Sequence, residues 1–70
     1  RALFEAANVG MVQLDFSSRH VIRANARFAE IVGRPVSQIE GRSIAEFTFP
    51  EDISADEIMM QELSQGLREE

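Results

Sequence analysis

His20 is the only histidine in the 70-residue chain, it opens a β-branched run, and no cysteine accompanies it. General acid–base or nucleophilic catalysis needs two reactive groups within hydrogen-bond reach, and no second base clusters with His20. A structural or surface role is the expectation for it. The absence of cysteine also removes disulfides, thiolate metal sites and cysteine nucleophiles. The densest acids lie in "EDISADE" (51–57), where Asp52, Ser54 and Asp56 occupy the first three alternating positions of a calcium loop. The sixth position is Glu57 where such a loop needs Gly, and the twelfth is Leu63 where it needs a bidentate Glu. These acids suit the positive end of a helix better. The turns "SSR" (17–19) and "GRS" (41–43) lack the Gly-rich cradle of a phosphate site. The chain is therefore expected to be non-catalytic and without a metal.

Net charge narrows the partners. The chain carries -5 overall, but residues 1–50 are close to balanced while residues 51–70 hold seven acids against Arg68. An acidic surface repels phosphate backbones, so no nucleic-acid partner is expected. No apolar run reaches the roughly 20 residues that span a bilayer, and no signal segment opens the chain, so no membrane contact is expected of this segment. Absence of cysteine fits a cytoplasmic location. The opening "RALFEAANVGM" has no initiator Met and reads as the interior of a longer polypeptide.

Stepping outward to the elements, "ALFEAA" (2–7) reads as a short helix that Asn8 and Gly10 end. In "GMVQLDF" (10–16), Val12, Leu14 and Phe16 alternate with Met11, Gln13 and Asp15, the period of a half-buried strand. "SSR" is a turn and "HVIRA" (20–24) the next strand, so residues 11–24 read as a β-hairpin. Asn25 stands where a helix N-cap belongs, and Ala24, Phe28, Ile31 and Val32 recur at helical spacing around it. Gly33 is the natural residue to end that helix, and Pro35 cannot continue it. "VSQIEG" (36–41) and "IAEF" (44–47), capped by Ser43, each allow a single turn. "ISADEIMMQELSQG" (53–66) carries the longest helical pattern, with a Ser54–Glu57 capping box and with Ile53, Met60, Leu63 and Leu67 close to one face.

In this order the pieces resemble the front part of a PAS domain, a sensory module common in bacterial signalling proteins. "LFEAANVGMVQLD" resembles the family's entry helix and first strand. "VIRANARFAEIVG" resembles its second strand, the Asn and the first helix behind it. "QIEGRSIAEF" resembles its short helix with a Gly-Arg step, and "FTFPED" the stretch that opens the last helix. The likeness spans about residues 2–66. It departs at the hairpin turn, where Ser17, Ser18 and Arg19 replace a usual Gly, and at Phe49, where a His often precedes the Pro.

The resemblance implies an α+β fold: the front of an antiparallel sheet, represented by one β-hairpin, followed by several short helices and one longer helix. Residues 1–70 would form the N-terminal portion of a single PAS domain whose remaining strands lie outside the chain. The first strand would then present an open edge, and self-association through it is expected, as a homodimer or by strand-edge pairing. Phe28, Ile31, Val32, Ile44, Phe47 and Met60 would pack on Val12, Leu14 and Ile22, or some of them would line a ligand cavity between sheet and helices. Val12, Leu14, Phe28, Ile31, Val32, Ile44, Phe47 and Met60 are thus the candidate pocket or core residues, with Asn25 and Gly33 as structural caps.

A cofactor is not named by the sequence. PAS variants that hold haem ligate it from a His on the last helix, and residues 51–66 contain none. Flavin variants that form a thiol adduct need a cysteine. A non-covalent flavin or a small metabolite stays open. The implied role is a sensory or regulatory module of a larger signal-transduction protein, such as a histidine kinase or cyclic-dinucleotide enzyme. The alternative is a constitutive dimerisation or scaffold module without ligand.

Overall fold

A computed structural model describes Phe4 and residues 8–64. The helix expected over residues 2–7 lies, apart from Phe4, outside the described residues, as do Gly66 and Leu67. Strand β1 (Gly10–Asp15) is followed by β2 (Val21–Ala24), helix α1 (Ala26–Val32), three single 3-10 turns (Val36–Gln38, Ile44–Glu46, Ala55–Glu57) and strand β3 (Ile58–Leu63). The sheet order is β2-β1-β3, with β2 antiparallel and β3 parallel to the central β1. The described residues form a small α+β fold, a mixed three-stranded sheet with α1 packed against it.

The single turns expected after α1 are 3-10 turns. Three expectations are corrected. The sheet is mixed and not antiparallel throughout, since β3 runs parallel to β1. Residues 58–63 form a strand, and the helix expected over 53–66 is confined, among the described residues, to the turn at Ala55–Glu57. The edge of β1 expected to lie open is filled by that strand, paired from Gly10↔Ile58 to Asp15↔Leu63. The physical reason is common to the last two. An unpaired central strand leaves a row of N–H and C=O groups without partners, and the chain's own 58–63 segment satisfies them.

The hairpin is built by its turn. Asp15 Oδ2 accepts the Ser18 N–H at 2.8 Å, the Arg19 N–H donates to Asp15 O at 2.8 Å, and the Asp15 N–H donates to His20 O at 2.9 Å. Arg19 takes a left-handed conformation, φ 65°, which supplies the reversal that a Gly would otherwise provide. Phe16 follows the end of β1 and is 60% exposed, so the apolar side of the strand is Val12 and Leu14 without it.

Beyond the turn the register slips by one residue. Val12 faces Ala24 and Gln13 faces Arg23, but Leu14 faces Val21, which leaves Ile22 as the extra residue of a bulge. The bulge inverts the phase of β2 at its start: Val21 is buried as Ala24 is, and Ile22 between them is only half-buried. That corrects the expectation that Ile22 lines the core. The outer side of β2 is covered by the loop at 41–44, where the Val21 N–H donates to Arg42 O, the Gly41 N–H to Val21 O and the Ile44 N–H to Arg19 O.

The core lies between the sheet and α1. Val12, Leu14, Val21, Ala24, Phe28, Ile39 and Phe47 are buried together, with Ala29, Val32, Ile44, Phe49 and Ile58 packed around them. Burying a side chain the size of Leu or Phe contributes about 1.5–3 kcal/mol, so this cluster is the main stabilising element of so small a chain.

Candidate functional site

The junction where α1 leaves the sheet is the most specified place in the structure, and Asn25 is its centre. Asn25 is fully buried, and its extended backbone (φ -92°, ψ 174°) marks it as the residue before the helix. Its Oδ1 accepts two backbone N–H groups, from Met11 at 2.9 Å and from Phe28 at 2.9 Å. Its Nδ2 donates to Phe4 O at 2.8 Å and to Val9 O at 3.0 Å. An amide side chain can make four such bonds, and all four are made. Asn25 therefore caps α1 and also ties the helix to β1 and to the segment preceding it.

Gly10, at the start of β1, lets α1 lie close. A Cβ built there would sit 2.8 Å from Ile31 Cδ1 and 3.1 Å from Phe28 Cα, so only a residue without a side chain permits the observed approach. At the other end of α1, Gly33 has φ 79° and its N–H donates to Ala29 O at 2.8 Å; the Arg34 N–H reaches the same carbonyl at 3.1 Å.

The candidate pocket residues separate into three groups. Val12, Leu14, Phe28 and Phe47 are buried in contact with one another, and Ile31 is buried over Gly10. Val32 and Ile44 pack on the rim of that cluster. Met60 lies apart, on an edge strand and 41% exposed, because its segment is a strand and not the expected helix facing the core. Three contributors were not read from the sequence. Ile39 is fully buried although it follows an isolated turn, Val21 is buried by the β2 bulge, and Phe49 meets Phe28 edge to face at 5.9 Å between ring centroids. A signal existed for Ile39 alone, as the single apolar residue between two glycine or proline breaks after Val36.

The polar candidates are occupied in other ways. His20 is exposed, pairs by backbone with Ser43, and its N–H donates to Ser18 Oγ at 3.2 Å. In "SSR" the Ser18 amide is taken by the Asp15 carboxylate, and in "GRS" the Gly41 and Arg42 amides donate to Val21 O and Ile39 O. An arriving anion would find these donors spent. Ser54 Oγ donates to Glu57 Oε2 at 3.2 Å and caps no backbone N–H, so the capping box expected there is not formed, and among the described residues no three acidic or histidine side chains converge as metal ligands. Three arginines are held in exposed ion pairs: Arg27 with Glu30 at 3.1 Å and Glu57 at 3.7 Å, Arg42 with Glu46 at 3.1 Å, and Arg19 with Glu62. Arg23 stacks on the Phe4 ring, its guanidinium carbon 4.0 Å from the centroid.

Comparison with known families decides what this junction belongs to. A family model described as PAS domain matches residues 1–66, nearly the whole chain. The chain belongs to the PAS domain family. Searches among curated proteins and among solved structures returned no significant match. PAS domains are signalling and sensory modules, and in this one the link between sheet and first helix is carried by Asn25. No helix among the described residues of this PAS domain is long and apolar enough to cross a membrane.

Proposed function

We propose that this PAS domain is the sensory or regulatory module of a larger, cytoplasmic signal-transduction protein, of the kind that carries a histidine kinase or cyclic-dinucleotide enzyme as its output. The module itself is non-catalytic and forms the front portion of the domain. It binds a small ligand or a partner against the face of the sheet that α1 covers, and the occupied state shifts the packing of α1 on β1. The observation that carries this reading is the family match over residues 1–66, joined to the geometry in which one buried side chain, Asn25, fixes helix, strand and preceding segment together. A change at the Phe28 face is thereby coupled mechanically to β1. The test is purification of the parent protein from its own host, followed by native mass spectrometry and thermal denaturation with the released small molecules added back. A copurifying compound that raises Tm supports the reading, by the mass-action stabilisation any native-state ligand gives. A protein that carries nothing and whose Tm responds to no released fraction would sink it.

One observation favours a second reading. Phe28, Leu14, Ile39 and Val12 are each almost wholly buried in one contiguous cluster, a filled core of the sort a scaffold uses. On that reading the domain is a constitutive dimerisation module without ligand. Light scattering across a concentration series distinguishes the two: a dimer unaffected by small molecules supports the scaffold, and a monomer excludes it.

A further inference from the structure

The segment from Ser54 to Leu63 contains a conflict between its sequence and its structure. It begins as a helix begins. Ser54 has the extended backbone of an N-cap (φ -91°, ψ 162°), and the Glu57 N–H closes a first turn on Ser54 O at 3.0 Å, although the Ser54 side chain bonds the Glu57 carboxylate and no backbone N–H. The residues that follow are Ile58, Met59, Met60, Gln61, Glu62 and Leu63, of which only Ile58 is β-branched, while Met, Gln, Glu and Leu are good helix formers. Helical spacing would place Met59 and Met60 against Leu63 along one face. The chain nevertheless turns out of the 3-10 geometry at Ile58 (φ -133°, ψ 130°) and runs on as β3.

Side chains do little to hold it there. Four of the six residues of β3 are exposed, including Met59 at 53%, and only Ile58 packs on the core cluster. The remaining ties are an exposed Gln13–Gln61 hydrogen bond of 3.0 Å, the exposed Arg19–Glu62 ion pair, and the Arg27–Glu57 pair at the base of the segment. Exposed ion pairs contribute little. The strand is thus held chiefly by the backbone ladder to β1, while local propensity and the 3-10 turn already formed at Ala55–Glu57 favour the alternative. Agreement between local preference and global fold is the rule in foldable sequences, and a segment that breaks it is one with a competing state.

We infer that residues 54–63 form a displaceable strap, which covers the edge of β1 as a strand and leaves it by propagating the Ser54–Glu57 turn into a helix. The strap thereby opens and closes the central strand of the sheet. This goes beyond the sensory reading and holds whether or not the domain binds a ligand.

The test uses two measurements. In the parent protein, amide hydrogen exchange is followed by NMR. The amides of residues 58–63 exchange at least about tenfold faster than those of the β1–β2 ladder, because they open locally while the hairpin stays closed. Exchange rates for the two sets that agree within about twofold overturn the strap, since β3 then opens only with the whole fold. The second measurement uses Gln13→Cys with Gln61→Cys, which face each other on adjacent strands in a chain with no other cysteine. Strand spacing of about 4.8 Å lies within the reach of a disulfide. Oxidation slows exchange of the 58–63 amides to the hairpin's rate. Adding Met59→Ala and Met60→Ala, at exposed positions that favour helix over strand, moves the Cα shifts of residues 55–63 toward helix and lowers the yield of the disulfide. Unchanged strand shifts and an unchanged yield in that background overturn the proposal.

Discussion

Asn25 Oδ1 accepts the backbone N–H of Met11, fourteen residues earlier in the chain, at 2.9 Å. The same oxygen caps α1 through Phe28, so a single atom joins the second residue of β1 to the first turn of the helix. Replacing Asn25 by Ala leaves the Met11 N–H and the Phe4 and Val9 carbonyls without their side-chain partner in buried or partly buried surroundings. Each group left so costs about 1–3 kcal/mol, which adds to the loss of the N-cap. Asn25→Ala is expected to lose about 3 kcal/mol or more in urea denaturation followed by circular dichroism. Asn25→Asp keeps both accepted bonds but gives up both donated ones, and sets a carboxylate against two carbonyls; it too destabilises. A loss below about 1 kcal/mol for Asn25→Ala would show that the four bonds are not coupled to folding.

The contact between Gly10 and α1 makes a sharper prediction. Gly10→Ala places a methyl group 2.8 Å from Ile31 Cδ1 and 3.1 Å from the Phe28 backbone, and overpacking of this kind costs about 1–3 kcal/mol. Ile31→Val removes the nearer clash and leaves the one with the backbone. The double substitution is therefore expected to recover part of the loss and not all of it. Additive losses in a double-mutant cycle would mean that the two positions do not touch in solution.

Arg19 and Gly33 share a left-handed backbone, with φ 65° and 79°, but differ in residue type. Gly33→Ala meets nothing within 4 Å, so its cost is conformational alone, about 1 kcal/mol. Arg19 already bears that strain. Arg19→Asn, a residue that tolerates this conformation, is expected to be within about 0.5 kcal/mol of the parent, while Arg19→Val costs about 1–2 kcal/mol. The Arg19–Glu62 pair is exposed, so high salt should change the Arg19→Asn comparison little. A larger loss for Asn than for Val would sink the backbone argument.

Phe28 is the largest fully buried side chain, and it meets Phe49 edge to face. Phe28→Ala is expected to cost about 3–5 kcal/mol, enough to unfold most of so small a domain at room temperature. Phe28→Leu keeps most of the volume but loses the ring contact, and should cost clearly less. Thermal melts of the two variants check the order.

What the sequence disclosed, and what it hid, follows from how far apart the deciding residues lie. The hairpin, the helix from Ala26 and the roles of Asn25 and Gly33 are written in neighbouring residues, and were legible there. Val12, Leu14 and Phe28 stood out by period. The bulge that buries Val21 in place of Ile22 depends on how β2 pairs with β1, which a period of two cannot report. The fate of residues 58–63 was hidden for a related reason. Their local pattern is helical and a first turn does form at Ala55–Glu57, but the edge of β1, 48 positions earlier, outweighs it. Within the candidate site, Asn25 and its helix could be read directly, whereas its partners, the Met11 N–H and the Phe4 and Val9 carbonyls, could not.

The parallel pairing of β1 with β3 also sets an order of assembly. Every register pair in that ladder joins residues separated by the same 48 positions, whereas hairpin partners such as Leu14 and Val21 lie close in sequence. Closing a short turn takes about microseconds, but a long loop must lose its freedom before any β1–β3 bond can form. The hairpin and the Asn25 junction therefore form first and offer a finished template. The third strand is added last, onto a surface that is already native.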